Sequence, residues 1–379
     1  MSLIFKYKIV VIAAFLSLIT ATPSLSQYTD NPGGDQPDES SNLGDAIYPT
    51  NLEGISLNPD KKSKVAVFDN GYSREAGLFL SLYLPVRILM ETEIPIHASS
   101  LSLLVIPSGG LSSLKDPDGF RTTLNKFVEG GGVLFVFSQR FGSDYALLPD
   151  PDGQSIRAYG WLEDQSSLSH SAIMTMQHSI VSRLVTSRPH LNIDGFFETF
   201  PDNSKHLLRN SLNGQPVMLI YKHGKGSVIA TTMFTDWAYL HLRATWDEIA
   251  LFSGIFRWLG LSVNSSVPQA PVIKRNTPVS PEALPAVGLS LQSDNEVYTA
   301  GSNATFTVRL WNNEDRERKI KVYYDGIGKY VELQPHSSDH ITYLTPVYSS
   351  RRLWVYFFDE NEIFLQTLKR GYSVIYPEQ

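Results

Sequence analysis

Short apolar runs alternate with amphipathic stretches between residues 64 and 138. Three runs have the length of a buried β-strand, at 65–68, 101–106 and 133–137. The stretches between them, over 76–86 and 117–129, space their apolar residues as amphipathic helices do. Alternation of strand and helix at this spacing predicts βαβ units, and therefore a parallel sheet in an α/β fold.

The hydrophobic pattern weakens over 143–212, where Asp and Pro clusters predict an insertion or lid with short strands. Two apolar runs then flank a Gly-Lys-Gly turn at 224–226, which predicts a β-hairpin over 215–234. Apolar residues at helical spacing over 245–259 predict one further amphipathic helix.

Residues 262–286 change character and carry prolines at 268, 271, 278, 281 and 285, which predicts an extended Pro-rich linker. Short alternating runs recur after it, most cleanly in Thr305-Phe306-Thr307-Val308-Arg309-Leu310-Trp311. This pattern over 287–379 predicts an all-β sandwich of immunoglobulin-like (Ig-like) size.

Aromatic residues are frequent in the strands of this predicted sandwich. They are Trp311, Tyr323, Tyr324, Tyr343, Trp354, Tyr356, Phe357 and Phe358. About half of them are needed to fill a core of this size. Core filling is the favoured interpretation, and binding of sugar rings on aromatic faces is the alternative.

The N-terminus has the pattern of an export signal. Lys6 and Lys8 precede an apolar run over 9–20, and small residues follow before Gln27. We therefore expect a signal peptide at 1–26, a flexible leader at 27–63, and a periplasmic or extracellular protein. The alternative is an uncleaved segment, the one case in which a membrane is expected.

Composition excludes several classes of function. The formal net charge is −6 and the basic residues are scattered, so no nucleic-acid surface is expected. The nine histidines lack metal-ligand spacing, and the absence of cysteine excludes disulfides, thiolate metal sites and a lipoprotein anchor. No cofactor or metal is expected.

Two glycine-containing segments carry a resemblance to a known family. The first runs from Gly130 to Ser138 (GGGVLFVFS), and the second joins 214–221 (GQPVMLIY) to 224–231 (GKGSVIAT). They resemble the class I glutamine amidotransferase-like superfamily, including its noncatalytic ThuA-like and β-galactosidase-trimerisation-like members. The resemblance covers residues 64–261 and implies a flavodoxin-like parallel sheet with flanking helices.

In that family a Cys stands on a strand-to-helix elbow and a His follows the final strand. Ser138 occupies the first position here, and the second falls at or next to Thr235. A serine without a neighbouring base is a poor nucleophile, so glutaminase chemistry is not expected. The weak candidates for a substitute catalytic set are Ser138, His241 and Asp236.

The carboxyl ends of parallel strands converge on one edge of a sheet, where α/β proteins place ligands. The sequence therefore predicts a ligand cleft there, lined by Asp69, Asn70, Ser108, Gly109, Gly110, Gln139, Arg140, Thr235 and Trp237. The alternative is that Trp237 packs beneath the 143–212 lid and the crevice is filled.

The favoured function is an exported, non-catalytic binding or scaffold protein, with a vacated amidotransferase-like domain and a β-sandwich interaction module. Its partner would be an envelope protein or a polysaccharide. The alternative is an extracytoplasmic hydrolase that acts on a sugar or peptide-type substrate through Ser138.

Overall fold

The computed structural model describes residues 63–95, 100–153, 155–163, 172–264, 280–295, 297–325 and 327–376. The predicted signal peptide, the leader up to residue 62 and residues 265–279 of the predicted linker lie outside the described residues. No helix in the described ranges is both long and apolar enough to cross a membrane.

Residues 63–264, here called the α/β unit, form strands and helices in alternation at first and mostly strands later. The strands are β1 (Val65–Phe68), β2 (Arg87–Leu89), β3 (Leu103–Ile106), β4 (Val133–Val136), β5 (Arg157–Tyr159), β6 (Ala172–Met174), β7 (Phe196–Thr199), β8 (Lys205–Asn210), β9 (Pro216–His223) and β10 (Gly226–Thr231). The helices are α1 (Ser73–Ser81), α2 (Pro117–Glu129), α3 (Thr235–Leu240) and α4 (Trp246–Trp258).

Eight of these strands form one mixed sheet in the order β2-β1-β3-β4-β10-β9-β8-β6. The first five are mutually parallel, whereas β9, β8 and β6 pair antiparallel. The expectation of a parallel sheet thus holds for only one part of it. β9 and β10 are joined at His223–Gly226 by a turn too short for a crossover, so this pair has to be antiparallel.

The parallel part of the sheet is covered on both faces. Val65 of β1 joins the core on one face, and its neighbour Ala66 joins the core on the other. Helices α1 and α4 cover the first face, where the rings of Phe79 and Phe252 lie 4.8 Å apart. Helix α2 covers the second through Phe120. Burial on both faces explains why these strands are continuous apolar runs.

Helix α2 begins and ends where the sequence predicted. Asp116 caps it by accepting a hydrogen bond from the Gly119 amide (3.0 Å), and Pro117 occupies its first turn. The glycines that follow lead the chain directly into β4. The carboxyl end of β4 is thereby fixed at the sheet edge where Ser138 lies.

Residues 280–376, here called the β unit, form a three-stranded and a five-stranded sheet. The first has the order β11-β13-β16 and the second β12-β18-β17-β14-β15. Their strands are β11 (Val287–Ser293), β12 (Val297–Thr299), β13 (Asn303–Asn312), β14 (Arg318–Tyr324), β15 (Ile327–Leu333), β16 (Ser338–Pro346), β17 (Arg351–Phe358) and β18 (Phe364–Ile375). The strands pair antiparallel except β12 with β18, and both sheets contribute to one core.

The two units contact each other. Leu212 of the α/β unit belongs to the core of the β unit. The ring of Trp311 packs edge-on against Phe196 with centroids 5.3 Å apart. Arg309 lies over the ring of Tyr159 and forms an ion pair with Glu198. The connection between the units therefore includes apolar, cation–π and ionic contacts besides the chain itself.

Candidate ligand cleft at the carboxyl edge of the sheet

Four loops that follow the parallel strands meet at one edge of the sheet. The Gly109 amide donates to the Ser138 carbonyl at 2.9 Å, which joins the loops after β3 and β4. The side-chain amide of Asn70 donates to the Gly110 carbonyl, also at 2.9 Å, and so adds the loop after β1. The start of α3 joins them through Asp236, which accepts a hydrogen bond from the Ser108 amide at 2.7 Å.

Asp236 is the central acid of this edge and is fully buried. Besides the Ser108 amide, it accepts hydrogen bonds from the Ser108 hydroxyl (2.6 Å) and from the Trp237 amide (2.9 Å). Burial raises the pKa of Asp236 from 3.8 to about 7, although the three donors partly offset that effect. Asp236 therefore ties α3 to the loop after β3 and changes charge near neutral pH.

Ser138 is fully buried and is engaged in the protein interior. Its amide donates to the Met233 carbonyl at 2.7 Å, and its hydroxyl donates to the Asp194 carbonyl at 3.4 Å. Among the residues that the structure describes, no histidine makes a hydrogen bond with Ser138. No histidine in the described ranges therefore stands ready to take a proton from its hydroxyl, and its amide donates to a main-chain carbonyl.

His241 is turned away from Ser138. Its imidazole stacks on the Trp237 indole with ring centroids 3.9 Å apart, and its Nδ1 lies 2.7 Å from the Trp237 carbonyl oxygen. The hydrogen bonds of Asp236 go to Ser108 and Trp237, so Asp236 does not orient His241. The candidate set of Ser138, His241 and Asp236 is therefore not assembled, because each member is committed to a different neighbour.

Thr235 is buried against a second internal acid, which the sequence analysis missed. Its hydroxyl donates to Glu248 Oε1 at 2.6 Å. Glu248 also accepts from the backbone and side-chain amides of Asn192 (2.9 and 2.8 Å) and from the Thr245 amide (2.8 Å). Burial raises the pKa of Glu248. The capping box formed by Thr245 and Glu248 was visible in the sequence as Thr-x-x-Glu before an apolar run.

The edge that the sequence predicted as an open cleft is mostly closed. Ser108, Gly109, Gly110, Gln139, Thr235, Asp236 and Trp237 are all buried, whereas Asn70 and Arg140 are half-buried and Asp69 is exposed. A Cβ atom added at Gly109 would lie 3.1 Å from the Trp161 ring, which belongs to the insertion. The Trp161 side chain therefore packs against Gly109 at this edge.

Gln139 has an internal structural role, unlike the ligand contact that the sequence predicted. Its Oε1 accepts from the Leu111 amide at 2.8 Å, and its Nε2 donates to the carbonyls of Pro107 (3.1 Å) and Phe137 (2.9 Å). The Gln139 amide donates to the Tyr145 hydroxyl, which donates in turn to the Thr231 carbonyl. The loop after β4 is thus held by polar groups that satisfy one another.

No group of three or more His, Cys, Asp or Glu side chains within the described ranges is placed to hold a metal ion. The buried acids Asp236 and Glu248 are each surrounded by hydrogen-bond donors from the protein, so they act as acceptors that join loops.

No protein-family model matches the chain, and no curated protein matches it. Among solved structures it is similar to an exo-β-1,4-mannosidase from Opitutaceae bacterium strain TAV5 (15% identity, TM-score 0.34, 55% of this chain and 37% of the mannosidase). It is also similar to a proposed GMP synthase subunit from Thermoplasma acidophilum (12% identity, TM-score 0.37, 52% of this chain and 95% of that one). A CARDB domain from Pyrococcus furiosus matches at 15% identity and TM-score 0.20, over 24% of this chain and 94% of the domain. At these scores the similarities assign neither a family nor an activity.

Proposed function

We propose that this chain is an exported, non-catalytic binding or scaffold protein. One observation carries the proposal: the resemblance puts the catalytic Cys and His positions of amidotransferases at Ser138 and at or next to Thr235, and both hydroxyls are used inside the protein. Ser138 donates to a main-chain carbonyl, and Thr235 donates to the buried carboxylate of Glu248. No described histidine makes a hydrogen bond with Ser138, and the Glu248 carboxylate beside Thr235 is held by further hydrogen bonds from Asn192 and Thr245.

The α/β unit, in this proposal, is a flavodoxin-like domain of the class I amidotransferase-like type. The order β2-β1-β3-β4-β10 of its parallel strands supports this, since 2-1-3-4-5 is the order of flavodoxin-like sheets when only parallel strands are counted. The Gly-Lys-Gly turn that joins the antiparallel strands β9 and β10 also supports it. At the carboxyl edge of the parallel strands, where amidotransferases have their catalytic residues, the loops of this chain form hydrogen bonds with one another.

The β unit is the interaction module of the proposal, and we take it to be Ig-like. Two sheets that share one core support this. Export is inferred from Lys6, Lys8 and the apolar run over 9–20. A protein in that location would bind an envelope protein or a polysaccharide.

The test compares Ser138→Ala with Ser253→Ala, whose hydroxyl also donates to a main-chain carbonyl but lies in α4. Ammonia release from glutamine and hydrolysis of p-nitrophenyl esters and glycosides are measured for both variants and the parent chain. We expect no turnover in any of them. Each substitution should lower the free energy of unfolding by about 1 kcal/mol or less, the worth of one hydrogen bond.

Turnover by the parent chain that disappears in Ser138→Ala, with melting unchanged, would refute the non-catalytic proposal. Turnover retained in both variants would also refute it, and would place the catalytic group elsewhere.

A further inference from the structure

The outer face of the five-stranded sheet in the β unit carries a group of exposed aromatic side chains, here called the aromatic face. Its members and their exposed fractions are Tyr323 (38%), Tyr330 (49%), Trp354 (47%), Tyr356 (38%) and Phe364 (54%). Their strand neighbours Val322, Val331 and Val355 are buried in the core. The alternation typical of a strand therefore directs these aromatic side chains of β14, β15 and β17 outward.

The aromatic face is continuous across neighbouring strands. Tyr323 lies directly opposite Tyr356 in the β14–β17 pair, and their ring centroids are 6.5 Å apart. Tyr330 lies opposite Lys321 in the β14–β15 pair. At the other side of β17, the rings of Phe358 and Phe364 are 5.9 Å apart. Single exposed aromatics are ordinary, but a contiguous group of them marks an interaction surface.

These side chains are not required to fill the core. That role belongs to Tyr324, Tyr343 and Phe357, which are at most 7% exposed. The sequence favoured core filling for the aromatic residues of this unit, and the structure divides them between the core and the outer face. The aromatic residues on the outer face therefore call for a functional explanation.

Two lysines beside Tyr323 and Tyr330 on this face are neutralised locally. Lys319 pairs with Glu332 at 3.0 Å, and Lys321 pairs with Glu362 at 2.7 Å. The two ammonium groups also lie over the Tyr330 ring, at 5.2 and 5.7 Å from its centroid, and the Tyr330 hydroxyl donates to Glu362. A charged partner that docks at Tyr323 and Tyr330 would have to break these pairs, which favours an uncharged partner there.

The chemistry of the rings narrows the class of partner further. The face of an aromatic ring carries the negative lobe of its quadrupole, which attracts the slightly positive C–H hydrogens on the flat side of a pyranose ring. The planes of Tyr323 and Tyr356 are inclined at 61°. A sugar ring stacked on one of them would therefore lie beside the other, and the tyrosine hydroxyls can form hydrogen bonds with hydroxyl groups of a sugar.

We propose that the aromatic face binds a neutral polysaccharide. The inference rests on the proposed binding function and narrows its partner from envelope components in general to uncharged sugar chains. Several exposed rings along one sheet match a repeating ligand better than they match a single small molecule, because each repeat can occupy one ring.

The experiment measures how much of the full chain is retained on insoluble cellulose, chitin and β-mannan. Alginate is the charged probe, and its binding is measured as retardation of the full chain in affinity gels. The variant is Tyr323→Ala/Tyr356→Ala. The matched control is Tyr348→Ala, which removes a tyrosine that is 65% exposed but lies in the loop after β16, away from the aromatic face. Melting temperatures show whether all three proteins are folded.

We expect the parent chain to bind at least one neutral polysaccharide and not alginate. The double variant should lose affinity by about 100-fold, at roughly tenfold for each ring, while the control binds like the parent. Absence of binding to all three neutral polysaccharides would overturn the inference, and so would equal binding by the double variant. Concentration-dependent dimerisation that disappears in the double variant would overturn it too, and would assign the face to a second copy of the chain.

These outcomes are distinguishable from a failure of the proposed function. Cleavage of a polysaccharide would refute the non-catalytic proposal even if the aromatic face bound it. Loss of sugar binding without any turnover would overturn only the inference about the partner.

Discussion

Replacing Asp236 by asparagine should remove a pH-dependent part of the stability of the α/β unit. Asp236 is fully buried, and three hydrogen-bond donors face its carboxyl group. Asparagine has nearly the same shape, and its side-chain oxygen, in the place of Oδ2, can accept from the Ser108 amide. Its amide group, in the place of Oδ1, can donate to the Ser108 hydroxyl. The Trp237 amide loses its acceptor, so the variant loses the titration together with one hydrogen bond, whose cost does not depend on pH.

The size of the effect follows from the pKa of Asp236, which burial raises from 3.8 to about 7. Because the folded state holds the proton more tightly than the unfolded chain, this group stabilises the fold most below pH 4. That stabilisation is lost as the pH rises towards 7. A shift of this size corresponds to ~4 kcal/mol over the whole window, of which about 3 kcal/mol falls between pH 5 and pH 8.

The assay is urea unfolding at pH 5, 6, 7 and 8 and constant ionic strength, followed by tryptophan fluorescence. The stability of Asp236→Asn relative to the parent should rise by about 3 kcal/mol between pH 5 and pH 8. Ser108→Ala removes one donor to the carboxylate and should raise the pKa of Asp236 further. The same stability difference for Asp236→Asn at all four pH values would refute the reasoning, since Asp236 would then remain charged in the fold.

Three further predictions concern packing. Glu248→Ala should lower the free energy of unfolding by about 3 kcal/mol or more in urea titrations, because it leaves buried donors without an acceptor; a loss under ~1 kcal/mol would contradict this. Gly195→Ala should lower the melting temperature far more than Gly153→Ala. Both glycines have positive φ, but only at Gly195 would an added Cβ lie 1.9 Å from a backbone oxygen. Equal shifts in melting temperature would argue against that clash. Limited proteolysis within 262–286 should give two fragments that co-elute in gel filtration. The fragments of Arg309→Ala should separate more readily than those of the parent. Separation of the parent's fragments would show that the contacts between the two units are weak.

Local sequence patterns were sufficient to locate most of the regular structure. β1 is an apolar run that is buried on both faces, and α2 has its proline and its 3.6-residue periodicity within thirteen residues that follow its cap directly. The hairpin of β9 and β10 follows from two apolar runs around a glycine-containing turn. Each signal is contained in a few consecutive residues, so no knowledge of distant contacts is needed to recognise it.

The antiparallel half of the main sheet could not be recognised in this way. β6 has only three residues and pairs with β8, which is more than thirty residues away in the chain. Nothing in so short a segment determines its partner, because pairing depends on which edge the earlier strands leave open. The insertion was therefore recognised as a region, but its place in the sheet was not.

The closed cleft and the aromatic face were decided by tertiary structure alone. The sequence placed Ser108, Ser138 and Asp236 at one edge, but it did not show that Trp161 of the insertion packs against Gly109 there. Likewise, strand alternation shows that Tyr323 and Tyr324 point to opposite sides, but only the packing of the two sheets decides which of them is buried. Composition and periodicity act along the chain, whereas burial and hydrogen-bond partners depend on what folds back against each residue.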